Sequence, residues 1–298
     1  MQQTIPAIEN TLRILTSKAQ RYCIEHFLER EADIEYLDNQ VLEDIEAQML
    51  RDGPTPQLTA LRRQVEEVKT FLEEQQTEFL RHLWRQVSNS PEPVQKFQAQ
   101  LARYTAWPAP QTARQQEHLE TFLMRYLIPW PIPDPAIQRE PDMVGYHPTP
   151  VGILLDLVEQ ADFRTDDVFY DIGAGLGHVV ILVHLLTGIH ARGVEIDPAY
   201  SQYAQRLAGE LYLSAVEFFN ADARNIDYTD GSVFFLYTPF KDALLREVLQ
   251  KIRHDTQGHN IQLYTLGPCT LQVAEQDWLH RLDLHADHVY KLAIFQSG

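Results

Sequence analysis

Four short stretches in the second half of the chain carry residues whose types and spacing could do chemistry. The first is Asp171-Ile172-Gly173-Ala174-Gly175-Leu176-Gly177, an acid followed by glycines at every second position. Glycines so spaced permit positive φ and let the backbone approach a ligand where a side chain would stand in the way. The second is Glu195, about twenty residues on, a carboxylate able to accept from both hydroxyls of a ribose. Ile196 beside it can pack on a flat base. The third is Asn220-Ala221-Asp222-Ala223, where Asp222 can accept from an exocyclic amine. The fourth is Tyr237-Thr238-Pro239-Phe240, facing whatever reacts. Together they read as the holding set of a small molecule that carries a nucleoside. His178, His184 and His190 do not read as a metal site. The first two, six apart on a helix, point to different faces, and no carboxylate or cysteine completes a set.

The elements that must position these stretches alternate. Val168 to Ile172 is an apolar, β-branched and aromatic run, hence a strand, and His178 to Leu186 is long enough for a buried helix. Further strands are expected at Ala191–Glu195, Val216–Asn220, Ser232–Leu236 and Asn260–Tyr264, with helices at Pro198–Leu213 and Lys241–Arg253. Leu282-Asp283-Leu284 with His288 to Phe295 reads as a closing antiparallel pair. Such alternation implies an α/β fold, a mostly parallel, doubly wound sheet with helices on both faces. Ligands of these sheets sit at the carboxyl ends of the strands, near the switch in strand order, so the four stretches converge there.

The first half has another character. Apolar residues fall at helical spacing from about Ile8 to Met49, through Leu15, Ala19, Tyr22, Cys23, Phe27 and Ile34, an amphipathic helix or two. Leu58, Leu61, Val65, Val68, Leu72, Phe79 and Leu83 alternate by three and four, the seam of a helical hairpin or short coiled coil. Shorter helices fit Val94–Tyr104 and Thr112–Leu127. Residues 1–128 thus form an all-helical domain, a support or lid for the second half or a surface for a partner or a second copy. The proline-dense run from Ile128 to Pro135 opens a semi-rigid linker, residues 129–145, and residues 146–298 are the α/β domain. Thr149 is placed to cap a helix over Val151–Gln160, with Pro150 at its first position.

Composition excludes several classes. The chain of 298 residues has a formal net charge of −17. The part after Glu140 holds 21 acidic against 10 basic residues, with no basic run, which disfavours a nucleic-acid partner. An acidic enzyme attracts a cationic substrate such as a lysine-bearing protein. Two cysteines without metal-like spacing, Cys23 and Cys269, imply no disulfide framework. No apolar run approaches the roughly 20 residues of a membrane span, and Met1 to Pro6 lacks the features of a signal peptide. A soluble, cytoplasmic protein without a membrane partner is expected.

In the order of these motifs the chain resembles the class I S-adenosylmethionine-dependent methyltransferases, over roughly Tyr146 to Phe295. The resemblance implies their Rossmann-like seven-stranded sheet and S-adenosyl-L-methionine as cofactor. It implies that Asp171, Gly173, Ala174, Gly175 and Gly177 border the amino-acid part, that Glu195 and Ile196 hold the ribose and base, and that Asp222 and Ala223 bracket the adenine. Tyr146-His147-Pro148-Thr149-Pro150 and Leu236-Tyr237 are similar to a narrower subgroup, related to Dot1-like enzymes, some of whose members methylate protein lysines. There Tyr146 and Thr149 would meet the methionine end, and Tyr237, Tyr146 or His147 would assist removal of a proton from the acceptor. Two departures matter: Leu176 and His178 stand where the subgroup has aspartate and arginine, and Thr238-Pro239-Phe240 replaces its leucine-proline. The acceptor, a protein lysine or a small molecule, stays open, as does a cofactor-binding interaction protein without transfer. The Asn/Asp-Pro-Pro-Tyr signature of methyltransferases acting on adenine or glutamine is absent.

Overall fold

The computed structural model describes residues 5–22, 26–283 and 288–298. Cys23 and Leu284, to which the sequence assigns a helix position and a strand position, lie outside the described residues. The chain forms two compact units, one of Met1–Arg85 with Gln100–Phe122, the other of Gln86–Ala99 with Leu123–Gly298. The proline-rich residues 129–145 belong to the second unit.

The first unit is helical. α1 (Ile5–Ala19), α2 (Phe27–Tyr36), α3 (Glu43–Asp52) and most of α4 (Pro56–Ser88) close on Ile8, Leu12, Ile34, Leu37, Val65 and Leu72. Between α2 and α3 the chain does not break. It widens to a π-helical stretch, Leu37–Leu42, which the sequence pattern did not suggest. Leu37, Val41 and Ile45, four apart, stay buried through it. A second cluster is aromatic: the Phe27 ring lies 5.6 Å from Phe79 and 5.2 Å from Phe122, edge-on to the latter. Polar groups cross this interior too. Gln76 accepts from Arg30 Nε at 2.8 Å and donates to Phe27 O and Glu31 Oε2, all within buried surroundings.

In the second unit the described strands form one seven-stranded sheet of order β3-β2-β1-β4-β5-β7-β6. β1 (Val168–Ile172), β2 (His190–Glu195), β3 (Val216–Asn220), β4 (Val233–Tyr237) and β5 (Gln262–Leu266) are parallel, and β7 (Ala293–Ser297) runs antiparallel to β5 and to β6 (Leu279–Arg281). α7 (Val151–Gln160), α8 (His178–Thr187), α9 (Pro198–Glu210), α10 (Asp242–Asp255) and α11 (Cys269–Ala274) complete this unit, while α5 (Pro93–Tyr104) and α6 (Ala113–Leu127) each belong partly to both units. α8 is buried on every side from His178 to Leu186, which explains an apolar helix with no polar face. On the sheet face toward α10, Tyr170, Ile172, Phe234 and Leu236 pack with Leu245 and Leu249. The switch in strand order falls between β1, β2 and β4, with the glycine turn at its carboxyl end.

Three local expectations are corrected. Thr149 does not cap α7: Pro150 is the cap residue, no side chain accepts there, and Thr149 is buried beneath it. β5 lies two residues later than expected, since Ile261 N–H is taken by the Ser297 hydroxyl while Thr265 and Leu266 pair with β4. The closing antiparallel pair is β6 with β7, so it begins earlier on its first strand and later on its second than expected, and Leu282 N–H still bonds Ile294 O. Asp283 Oδ1 takes the Ile294 N–H and ends the ladder, and Lys291 N–H closes a turn on His288 O.

The Gln76 network gives the first prediction. Gln76→Leu removes three buried hydrogen bonds, two of them to charged side chains, and should destabilise the protein by about 2–4 kcal/mol. Urea unfolding of the full chain measures it. A loss below about 1 kcal/mol would mean that Arg30 and Glu31 hold the core without Gln76.

Candidate active site

The strand ends converge as the sequence implies. One pocket is lined by Tyr146, Thr149, Asp171, Gly173, Ala174 and Gly175, then by Glu195, Ile196, Asp222, Ala223 and Tyr237. Gly177 is the one candidate that does not line it. Its φ of +79° starts α8, and a Cβ there would come within 2.5 Å of Phe218 and 2.6 Å of Ala204. Gly177 is therefore a packing glycine between helix and sheet. Gly175, at φ +52°, is the close-approach glycine: a Cβ would sit 2.5 Å from the Tyr146 ring, which lies over the turn.

Glu195 ties this turn to the next helix. Its Oε2 accepts the Gly175 N–H and its Oε1 the Asp197 N–H, both at 2.8 Å. Each oxygen keeps a lone pair for a ligand hydroxyl. Asn220 Nδ2 donates to the carbonyls of Glu195 and Ile196 and fixes the strand end. Sequence reasoning passed over Asp197, which lines the pocket. Its Oδ1 caps α9 through Ala199 N–H, and its Oδ2 accepts from Ala136 and Ile137, which draws the proline-rich stretch against the site. The signal was present as Asp197-Pro198, a cap followed by proline at the first helical position.

Two carboxylates here have no cation beside them. Asp171 is buried, makes no ion pair or hydrogen bond through its side chain among the described residues, and is held well above the usual carboxylate range by burial and then by the charge of Glu195. Glu195 is raised by burial, an effect its backbone N–H partners only partly offset. Asp222 differs. Both its oxygens are engaged by Arg224, with Nη2 at 2.6 Å, and that pairing lowers it. Arg224 therefore competes for the carboxylate that the sequence assigned to an exocyclic amine.

Two buried polar atoms in the pocket wall also lack partners, Tyr146 Oη and His178 Nδ1. The Thr149 N–H donates to His178 Nε2 at 3.1 Å. A backbone N–H has nothing to accept, so Nε2 is unprotonated and the proton of the neutral ring sits on Nδ1. Burial keeps the ring neutral, with its pKa lowered to about 4. The Tyr146 hydroxyl is raised by burial and by its neighbours Tyr203, Tyr200 and Asp171, so it too stays protonated. The site thus presents two inward N–H and O–H donors beside two acids, a set that fits a ligand with a carboxylate at one end, a positive charge next to it, and a ribose. Among the described residues no group of His, Cys, Asp and Glu could hold a metal ion, and no helix is long and apolar enough to cross a membrane.

Residues 144–253 match the family model described as "Histone methylation protein DOT1". A search of the curated proteins finds no match. Among solved structures, an RNA methyltransferase from Salinibacter ruber in complex with S-adenosyl-L-homocysteine is 23% identical, over 51% of this chain and 92% of that one, with a TM-score of 0.40. A precorrin-6y C5,15-methyltransferase from Geobacter metallireducens is 16% identical over 49% and 87%, at 0.38. A mutant of MtNAS in complex with S-adenosylmethionine is 14% identical over 97% and 96%, at 0.41. The second unit resembles the class I S-adenosylmethionine-dependent methyltransferases, the Dot1-like ones among them, and S-adenosylmethionine is the cofactor that its pocket fits.

A pH dependence follows. Folded-state values above the unfolded ones mean that Asp171 and Glu195 favour the fold at low pH, a contribution lost as pH rises through the raised values. A cationic ligand pairs with the ionised forms, so its affinity must rise over the same window. Calorimetric affinity for S-adenosylmethionine should climb as pH rises above the ordinary carboxylate range and through the raised values, and Asp171→Asn should weaken binding about tenfold and flatten the rise. A flat wild-type profile would refute the assignment.

Proposed function

We infer that this chain transfers a methyl group from S-adenosylmethionine to the amine of a protein lysine. The observation that carries the reading is the pair of buried carboxylates without a cation, set beside two buried donors without an acceptor. Asp171 would hold the ammonium of the cofactor, Glu195 the ribose, and Tyr146 Oη–H with His178 Nδ1–H the carboxylate. When bound, the cofactor supplies a methyl already activated on a sulfonium. The residues of the chain then have only to orient the amine, strip its water and take its proton. Tyr237 and His147 line both this pocket and the cleft beside it, so an incoming amine meets them first. Tyr237 Oη accepts an amine N–H and aims the nitrogen lone pair, and the exposed His147 ring passes the released proton to water.

The choice of lysine is supported by the DOT1 family match and by the Tyr146 to Pro150 lead-in that it includes. The acid balance points the same way, since an acidic surface favours a cationic partner. A reducing, cytoplasmic setting suits a chain whose described cysteine, Cys269, is buried and unpaired.

Gly175→Val should abolish binding of S-adenosylhomocysteine in calorimetry, because the added side chain drives into the Tyr146 ring. Gly209→Ala, where a Cβ meets nothing within 4 Å, should leave binding unchanged and stabilise α9 by about 0.5–1 kcal/mol. Tyr237→Phe should slow methyl transfer by about a hundredfold while cofactor affinity stays within about threefold. Transfer of labelled methyl to a lysate reads the acceptor: label on protein, hydrolysing to methyl-lysine, is expected, and label confined to small molecules or nucleic acid would sink the lysine reading.

A further inference from the structure

Beside the cofactor pocket lies a second cleft of about 770 Å³, with Val144, Gly145, His147, Tyr237 and Thr238 common to both. Its far side is built by Lys241, Asp242 and Arg246 at the start of α10 and by Gln272, Glu275 and Gln276 around the end of α11. That volume admits several side chains, more than a lone amine requires.

Its wall carries charges of both signs. Eight Lys and Arg residues occur from Arg192 to Arg281. Arg192, Arg206, Arg224, Lys251, Arg253 and Arg281 each pair with a carboxylate. Among the described residues Lys241 and Arg246 make no ion pair, as Arg139, Arg164 and Lys291 elsewhere in the unit also do not, and these two stand together at this cleft. Two cations thus stand at one opening of a chain whose net charge is −17. Asp242 and Glu275 line the same cleft, also without a cationic partner among the described residues, so the opening carries both signs. Leu271 and Tyr290 stand at the same cleft, 58% and 62% exposed, apolar area that a small amine would leave bare and a peptide would cover.

We propose that this cleft docks a polypeptide segment whose target residue enters toward Tyr237 while an acidic neighbour is read by Lys241 and Arg246. The acids Asp242 and Glu275 attract the target ammonium, and the two cations select an acid beside it. Leu271 and Tyr290 take the apolar part of the segment. The inference rests on the methyltransferase reading of the adjoining pocket.

The test uses the full chain with S-adenosylhomocysteine present. Fluorescein-labelled peptides carry one lysine and either glutamate or glutamine at each position up to about four residues away, within reach of the cleft. By anisotropy, glutamate at one or two of these positions should tighten binding about tenfold over glutamine. Lys241→Glu with Arg246→Glu should reverse that preference in favour of arginine-flanked peptides. Leu271→Ser with Tyr290→Ser should weaken both peptide sets alike. Calorimetry with S-adenosylhomocysteine separates the two levels. If it fails to bind, the cofactor reading falls and this inference with it. If it binds, but glutamate and glutamine peptides bind alike at every position, the double charge reversal keeps the preference, or free lysine competes as well as peptide, the inference alone is overturned.

Discussion

The carboxylate of Glu195 is the constraint on which the second unit turns. One oxygen takes the N–H of Gly175 and the other that of Asp197, so one side chain at the end of β2 sets both the glycine turn and the start of α9. Asp197 then passes the constraint on, capping α9 and drawing Ala136 and Ile137 inward. An ionised, hydrogen-bonded carboxylate in a buried site is costly, and Asp171 nearby raises the cost. Burial answers that cost by raising both acids toward their neutral forms, and a bound cation would offset it for the ionised ones.

Much of this was legible in the order of residues, for a physical reason. Parallel strands buried on both faces must be apolar throughout, so Val168–Ile172 and Val233–Tyr237 announce themselves, and the residues that end them fall by geometry at one edge of the sheet. Asp171, Glu195 and Tyr237 were therefore found by position alone. What sequence could not carry was pairing. That Asp222 is engaged by Arg224 depends on a turn, with Arg224 two residues on folding back. That Gly177 packs on Phe218 depends on the neighbouring strands, since Phe218 lies on β3 and pairs with Gly193 of β2. Thr149 looks like a helix cap because threonine before Pro150 usually is one. Its N–H instead fixes the tautomer of His178, a contact 29 residues away that no local pattern encodes. The π-helical stretch at Leu37–Leu42 and the short α11 were missed because neither interrupts the apolar spacing.

The wall between the two clefts is where backbone strain collects. Thr238 sits at φ +41° and Asp242 at φ +50°, a region that costs a side-chain-bearing residue roughly 1–2 kcal/mol. Two kinds of bond hold these residues there. The Thr238 hydroxyl donates to Leu266 O at 2.8 Å and accepts the Cys269 N–H, which anchors the turn to β5 and α11. The backbone of residues 142–144 pairs with that of residues 239–241, through Val144 N–H to Pro239 O and Lys241 N–H to Asp142 O, around a bridge between Met143 and Phe240. The proline-rich stretch is thus stitched to the strand end that carries Tyr237, and three residues on it lays Tyr146 over Gly175. Strain kept at a site where the surroundings over-determine it is a mark of positioning. Here the strained turn follows directly on Tyr237, the strand-end residue that lines both the pocket and the cleft beside it.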